Sequence, residues 1–136
     1  MAYQQMQAPI LKQEALAAHI FRIVLHCPSL TEAAVPGQFV HILPPGFTLR
    51  RPISICEINK ENGTLTIVFE VKGNGTQKIA SLRPGETMDV LGPLGHGFTI
   101  LPEAKHVVLV GGGIGNPPML TLAQYYEERA TAICGY

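Results

Sequence analysis

A chain of 136 residues, 46% of them hydrophobic and 15% charged, is about one domain's worth, able to bury a core and too apolar for disorder. Ten basic and ten acidic side chains cancel to a formal net charge of zero, which argues against nucleic acid or an anionic membrane held by bulk charge. No apolar run reaches bilayer length, and the first seven residues lack the regions of a signal peptide.

Cys27, Cys56 and Cys134 are scattered and odd in number, with no metal-ligand pair and no disulfide framework. A reducing, cytoplasmic setting follows, with all three as buried structural thiols. Fourteen glycines and eleven prolines suit an all-β domain with many turns.

Residues 8–16 and 19–27 are the first two apolar-rich segments. Alanines at 14–19 allow a helix, but the Phe, Ile and Val that follow favour a hairpin bend. Cys27-Pro28-Ser29-Leu30 ends the second strand. Val35-Pro36-Gly37 turns the chain into a short strand, closed by Leu43-Pro44-Pro45-Gly46. The strand at 51–58 begins within Arg50-Arg51-Pro52-Ile53-Ser54-Ile55. Side chains alternate along a strand, so Arg51 and Ser54 need not share a face. Pro52, without an N–H, is expected to break the ladder at the start. A guanidinium, a rigid proline and a hydroxyl can cradle an anionic, planar ligand; an edge strand with a solvated arginine is the plainer alternative.

Asn62-Gly63 supplies a hairpin turn. Thr64–Val71 is the clearest strand, with Leu65, Ile67, Phe69 and Val71 on one face. After Lys72-Gly73-Asn74-Gly75, Thr76 is placed as the N-cap of a short helix that buries Ile79 and Leu82. Arg83-Pro84-Gly85 stops it, Glu86–Leu91 forms another strand, and residues 92–98 are too glycine-rich to be regular. The fold class is mainly β: a six-stranded antiparallel Greek-key barrel with one short helix, over residues 1–101.

Residues 102–136 change character. His106–Val110 reads as a buried parallel strand, Gly111–Gly115 follows, 118–129 is helical with Pro118 in the first turn, and a second strand begins at Ala130. Strand, helix and strand do not complete a doubly wound sheet, so this is read as the truncated start of an α/β Rossmann-like nucleotide-binding domain.

Two glycine runs carry candidate chemistry. Gly73-x-Gly75-Thr76 lies between a strand and a helix, where bare backbone and free N–H groups suit a phosphate; an ordinary turn fits the same residues. A pyrophosphate could take a forked guanidinium from Arg51 and amides from this helix. Gly111-Gly112-Gly113-Ile114-Gly115 is a second, weaker phosphate candidate, short of a full G-x-G-x-x-G. The five histidines show no ligand spacing.

The runs R-R-P-I-S-I at 50–55, V-K-G-N-G-T at 71–76, G-P-L-G-H-G-F at 92–98 and G-G-G-I-G-N-P-P-M at 111–119 resemble the ferredoxin-reductase superfamily. Within it, the chain is similar to the electron-transfer subunits of class 1B dihydroorotate dehydrogenases. The resemblance implies FAD, with Arg51 on its pyrophosphate, Pro52, Ile53 and Ser54 lining the flavin, and Ser54 near the reactive nitrogen. Ile53 stands where many members carry a stacking Tyr. Val68, Phe69 and Glu70 would flank the flavin and its ribityl or adenosine portion. Gly75 and Thr76 would give amides to the phosphates, and Gly113 and Gly115 would approach NAD. The implied work is electron relay in pyrimidine synthesis. Hydride passes between FAD and NAD, and single electrons pass through a 2Fe–2S cluster to an FMN-containing dihydroorotate-oxidising subunit in a heterotetramer. The four cysteines the family uses for that cluster are absent from this chain. Two alternatives are a reductase subunit of a hydrogenase or ferredoxin-linked complex, and a non-catalytic barrel that binds a partner protein.

Overall fold

A computed structural model describes residues 3–136. Its first part is a closed barrel of six antiparallel strands: β1 (Gln4–Ala17), β2 (Ile20–His26), β3 (Phe39–Leu43), β4 (Arg51–Asn59), β5 (Thr64–Glu70) and β6 (Thr87–Leu94). Around the barrel they run β1-β2-β5-β4-β3-β6. Closure depends on the length of β1. Gln4–Pro9 pairs with β6 and Ile10–Ala17 with β2, so one strand serves both edges. Alternation turns Ile10, Ile23, Leu25, Val40, Ile42, Ile55, Leu65, Ile67, Met88 and Val90 inward, where all are fully buried.

The alanine cluster is strand, not helix, as the hairpin reading expects. Ala15 pairs with Phe21, and Arg22 Nη1 meets Glu14 Oε1 at 2.8 Å across the ladder. Cross-strand contacts here outweigh the helix preference of alanine. The turn is tight, with His19 at φ +64°.

Three expectations need correcting. Cys27–Leu30 does not merely end β2: Pro28–Ala33 forms a helix, α1, so the barrel carries two helices, not one. Pro28 suits its first turn, and Leu30 and Thr31 are fully buried. Strand β6 continues through Gly92 and Pro93 to Leu94, because Gly92 pairs with Gln4 and Leu94 with Phe39. Cys27 and Cys56 are buried, and burial pushes both thiols above the ordinary value, but Cys134 is exposed.

On β5, Leu65, Ile67 and Phe69 point inward as expected, and Val71, just past the strand, packs half-buried on the core. Thr66 and Val68 on the other face are also buried. That face is not left to solvent, because the turn after β7 packs on β5 and the α3 helix on β4.

Strands β7 (Val107–Gly112) and β8 (Ala130–Gly135) form a parallel pair joined by α3 (Met119–Tyr126). The helix stops three residues short of the expected end, because Glu127 takes φ +53° and residues 127–129 form a 3-10 turn. Pro118 is its N-cap. Leu109, Leu122 and Tyr126 make a small second core, and Tyr126 Oη accepts from Leu101 N–H at 2.8 Å. β7 is parallel as expected but buried on one side only: Val108 and Val110 are 54% and 67% exposed. One crossover helix covers one face. No helix among the described residues is long and apolar enough to cross a membrane.

Candidate functional site: a cleft where two barrel strands part

β4 and β5 pair only from Ile55↔Ile67 to Asn59↔Thr64. Beyond Ile67, β5 stays paired with β2 up to Glu70; before Ile55, β4 stays paired with β3 back to Arg51. Residues 51–54 and 68–70 therefore border a gap with one ladder edge each unused. The cleft there measures about 250 Å³.

Pro52 does not break the β3–β4 ladder; it sits opposite His41 in regular register. Ile55 N–H donates to Gln38 O at 3.1 Å, so by alternation the hydrogen-bonded positions are 55, 53 and 51. Pro52 falls at a position whose missing donor would face the cleft, and the ladder loses nothing. By the same alternation, Ser54 turns its backbone N–H and C=O to the cleft edge.

Pro52 and Ser54 are exposed on the cleft wall, and Val68 and Glu70 line the opposite side. Ile53 and Phe69 border the cleft from behind. They are 6% and 3% exposed and belong to the barrel core, with Phe69 stacked on Phe21 at 6.1 Å between centroids. Their side chains support the wall rather than form its outer surface.

At one end of the cleft begins α2 (Asn74–Ser81). Its N-cap is Gly73, not Thr76, which lies one turn in. Thr76 Oγ1 accepts from Lys72 N–H at 2.9 Å and Gly73 N–H at 3.1 Å, and donates to Gly73 O. The hydroxyl thus ties the turn before the helix to its first turn. Thr76→Val should cost about 1 kcal/mol in urea unfolding, because two amides lose their acceptor at similar side-chain volume. The first intrahelical bond runs from Gln77 N–H to Gly73 O, which leaves the N–H groups of residues 74–76 without intrahelical acceptors. No acidic residue lies in the first turn.

Arg51 reaches this helix end. Its guanidinium lies so close over Gly75 that a Cβ there would collide with it. It donates to Leu49 O and sits over the Phe47 ring, 5.3 Å from the centroid. Guanidinium, bare α-carbon and free amides converge on one spot. That donor set suits a diphosphate, with negative charge favoured by both the arginine and the helix dipole.

The structure therefore brings Pro52, Ser54, Val68, Glu70 and Thr76 around one groove, and sets Arg51 against Gly75 at the helix end beside it. Gly113 and Gly115 do not line it; they lie in a 3-10 turn after β7, Gly113 at φ +55°. Ile114 between them does line it, as does Lys72. Sequence reasoning missed both. Lys72 is inside the V-K-G-N-G-T run and Ile114 inside the glycine run, so the only signal for either is its place beside the glycines.

Residues 7–98 match the family of oxidoreductase FAD-binding domains. The chain belongs to that family. Among relatives of this FAD-binding domain, the electron transfer subunit of dihydroorotate dehydrogenase B (NAD(+)) from Bacillus mycoides (strain KBAB4) is 40% identical over 135 residues, 96% of this chain and 52% of that protein. The corresponding subunit of Bacillus cereus (strain AH187) matches equally. The FAD-binding chain thus spans about half the length of the curated relatives it matches. Of solved structures, an NADH-dependent reduced ferredoxin-NADP oxidoreductase superposes with TM-score 0.86 at 30% identity, over 95% of this chain and 48% of that one. The ferredoxin reductase of carbazole 1,9a-dioxygenase superposes at 0.85 and 19% identity, over 98% and 44%, and shares the fold.

Proposed function

We propose that this chain is the FAD-holding part of an electron-transfer subunit that serves an FMN-containing dihydroorotate-oxidising partner in pyrimidine synthesis. The observation that carries the reading is the Arg51 guanidinium seated over Gly75 at the amide end of α2, beside the gap between β4 and β5. Residues 1–101 are the FAD-binding unit and 102–136 the start of an NAD-binding one, with Gly113 and Gly115 toward the dinucleotide. The partner is the catalytic subunit, in a heterotetramer, and the free thiols suit the cytoplasm.

Arg51 and the amides of residues 74–76 neutralise and orient the diphosphate. Pro52 and Val68 give the ring apolar walls that keep water out. Ser54 offers a hydroxyl and, at the unpaired edge of β4, a backbone N–H and C=O for the polar rim of the ring. Ile53 and Phe69 hold those walls from inside the barrel. Bound there, the flavin supplies exchange of a hydride with a nicotinamide and of single electrons with an iron–sulfur centre. These residues do not fit the 2Fe–2S cluster itself: the chain has three cysteines, two of them buried, and no metal-holding group of His, Cys, Asp or Glu occurs among the described residues.

The purified chain mixed with FAD and desalted should keep the yellow flavin absorbance. A colourless product would leave a barrel whose glycines serve only as turns. A second reading, a ferredoxin-linked reductase subunit, is favoured by the 30% identity to the ferredoxin-NADP oxidoreductase. Capture of the dihydroorotate-oxidising subunit by the immobilised chain supports the first reading, and capture of ferredoxin alone the second.

A further inference from the structure

The two adjacent arginines do different work. Arg51 lies over the helix end; Arg50 turns the other way. Arg50 Nη2 meets Asp89 Oδ1 at 2.9 Å, and its Nη1 donates to His41 O at 3.1 Å. Asp89 also accepts from Gln5 Nε2 at 3.3 Å. The Arg50 and Asp89 side chains are only 19% and 16% exposed, so solvent screens the pair less than a surface bridge. Asp89 is on β6, opposite Leu43 of β3, so Arg50 reaches across β3 to the next strand.

What this anchors is the segment that holds Arg51. The Arg51 guanidinium is positioned by Leu49 O and the Phe47 ring, both in the chain between β3 and β4. That segment is otherwise lightly held: Leu49 is 72% exposed, and its one backbone turn bond runs from Phe47 N–H to Pro44 O. The Arg50–Asp89 bridge and the bond to His41 O fix its far end.

We propose that Asp89 is a positioning residue for the dinucleotide site: through Arg50 it holds the Phe47–Arg50 segment so that the Arg51 guanidinium stays over the amide end of α2. The inference rests on the FAD reading above. It assigns Asp89 no contact with the ligand, and it predicts that Asp89 matters to FAD only while Arg51 is present.

The test is a double-mutant cycle on the full chain, with FAD affinity read from quenching of flavin fluorescence. Asp89→Asn should weaken FAD binding about five- to tenfold in the native background, and should have no further effect beside Arg51→Ala. A simple structural role would lower affinity equally in both backgrounds, and that result overturns the proposal, as does an unchanged affinity in both. If Asp89→Asn does not fold, Arg50→Lys, which keeps the charge but loses the fork to Asp89 and His41, takes its place in the cycle. It should weaken binding beside native Arg51 and have no effect beside Arg51→Ala; equal losses in both backgrounds, or none in either, overturn the proposal. The failures are separable. An Arg51→Ala variant that binds FAD normally sinks the diphosphate reading and the positioning role together. A normal Asp89→Asn beside a weakened Arg51→Ala sinks only the positioning role.

Discussion

Arg51→Ala should bind FAD about ten- to a hundredfold more weakly than the native chain while unfolding at nearly the same urea concentration. The loss corresponds to a charge-assisted hydrogen bond of roughly 1.5–3 kcal/mol, since the diphosphate keeps the helix amides but loses its counter-charge. Stability changes little because the guanidinium's partners in the free protein are a backbone carbonyl and the face of Phe47, and that cation–π contact contributes about 0.5–1 kcal/mol at an exposed site. Fluorescence titration and urea unfolding on the same preparation check both halves. Unchanged affinity would move the diphosphate elsewhere and remove the main support for the FAD assignment of this groove.

Gly75→Ala should show the opposite pairing of effects, weaker FAD binding with stability held or raised. Gly75 lies in the first turn of α2 and does not take a positive φ. Alanine there is favoured over glycine by up to about 1 kcal/mol of helix propensity. The three atoms nearest the new Cβ all belong to the far end of the Arg51 side chain, which can swing aside at small cost. Swinging aside removes the guanidinium from the amides. Affinity should therefore fall about tenfold, toward the level of Arg51→Ala, while the thermal midpoint stays level or rises. The double variant Arg51→Ala with Gly75→Ala should bind no worse than Arg51→Ala alone. Native affinity in Gly75→Ala would show that the guanidinium's place over the helix is not what the ligand uses.

The sequence alone determined the features that local periodicity and turn chemistry encode. Alternation in Thr64–Val71 shows the inward face of β5, and Asn62-Gly63 marks the hairpin. The apolar run before the glycines marks a parallel strand, and β7 and β8 are parallel. Arg51, Gly75 and Thr76 stood out because a guanidinium and glycines before a helix are a phosphate-binding chemistry wherever they occur. Some local readings were incomplete. Thr76 has the right chemistry for a cap but sits one turn too late, and Pro28 starts a helix that a strand-ending proline also explains.

Three-dimensional packing alone brings Arg51 to Gly75, parts β4 from β5 before Ile55 and beyond Ile67, and turns Ile53 and Phe69 into the core while Pro52 and Ser54 face the groove. It also decided that Asp89 braces Arg50 and that Val108 and Val110 stay exposed. The physical reason is reach. Side-chain alternation and turn preference act over a few residues, so one chain carries them openly. Which strand edge stays unpaired, and which guanidinium lies over which amides, depends on how β1 closes the barrel by pairing with β2 and β6 at once, a long-range constraint that no local pattern encodes.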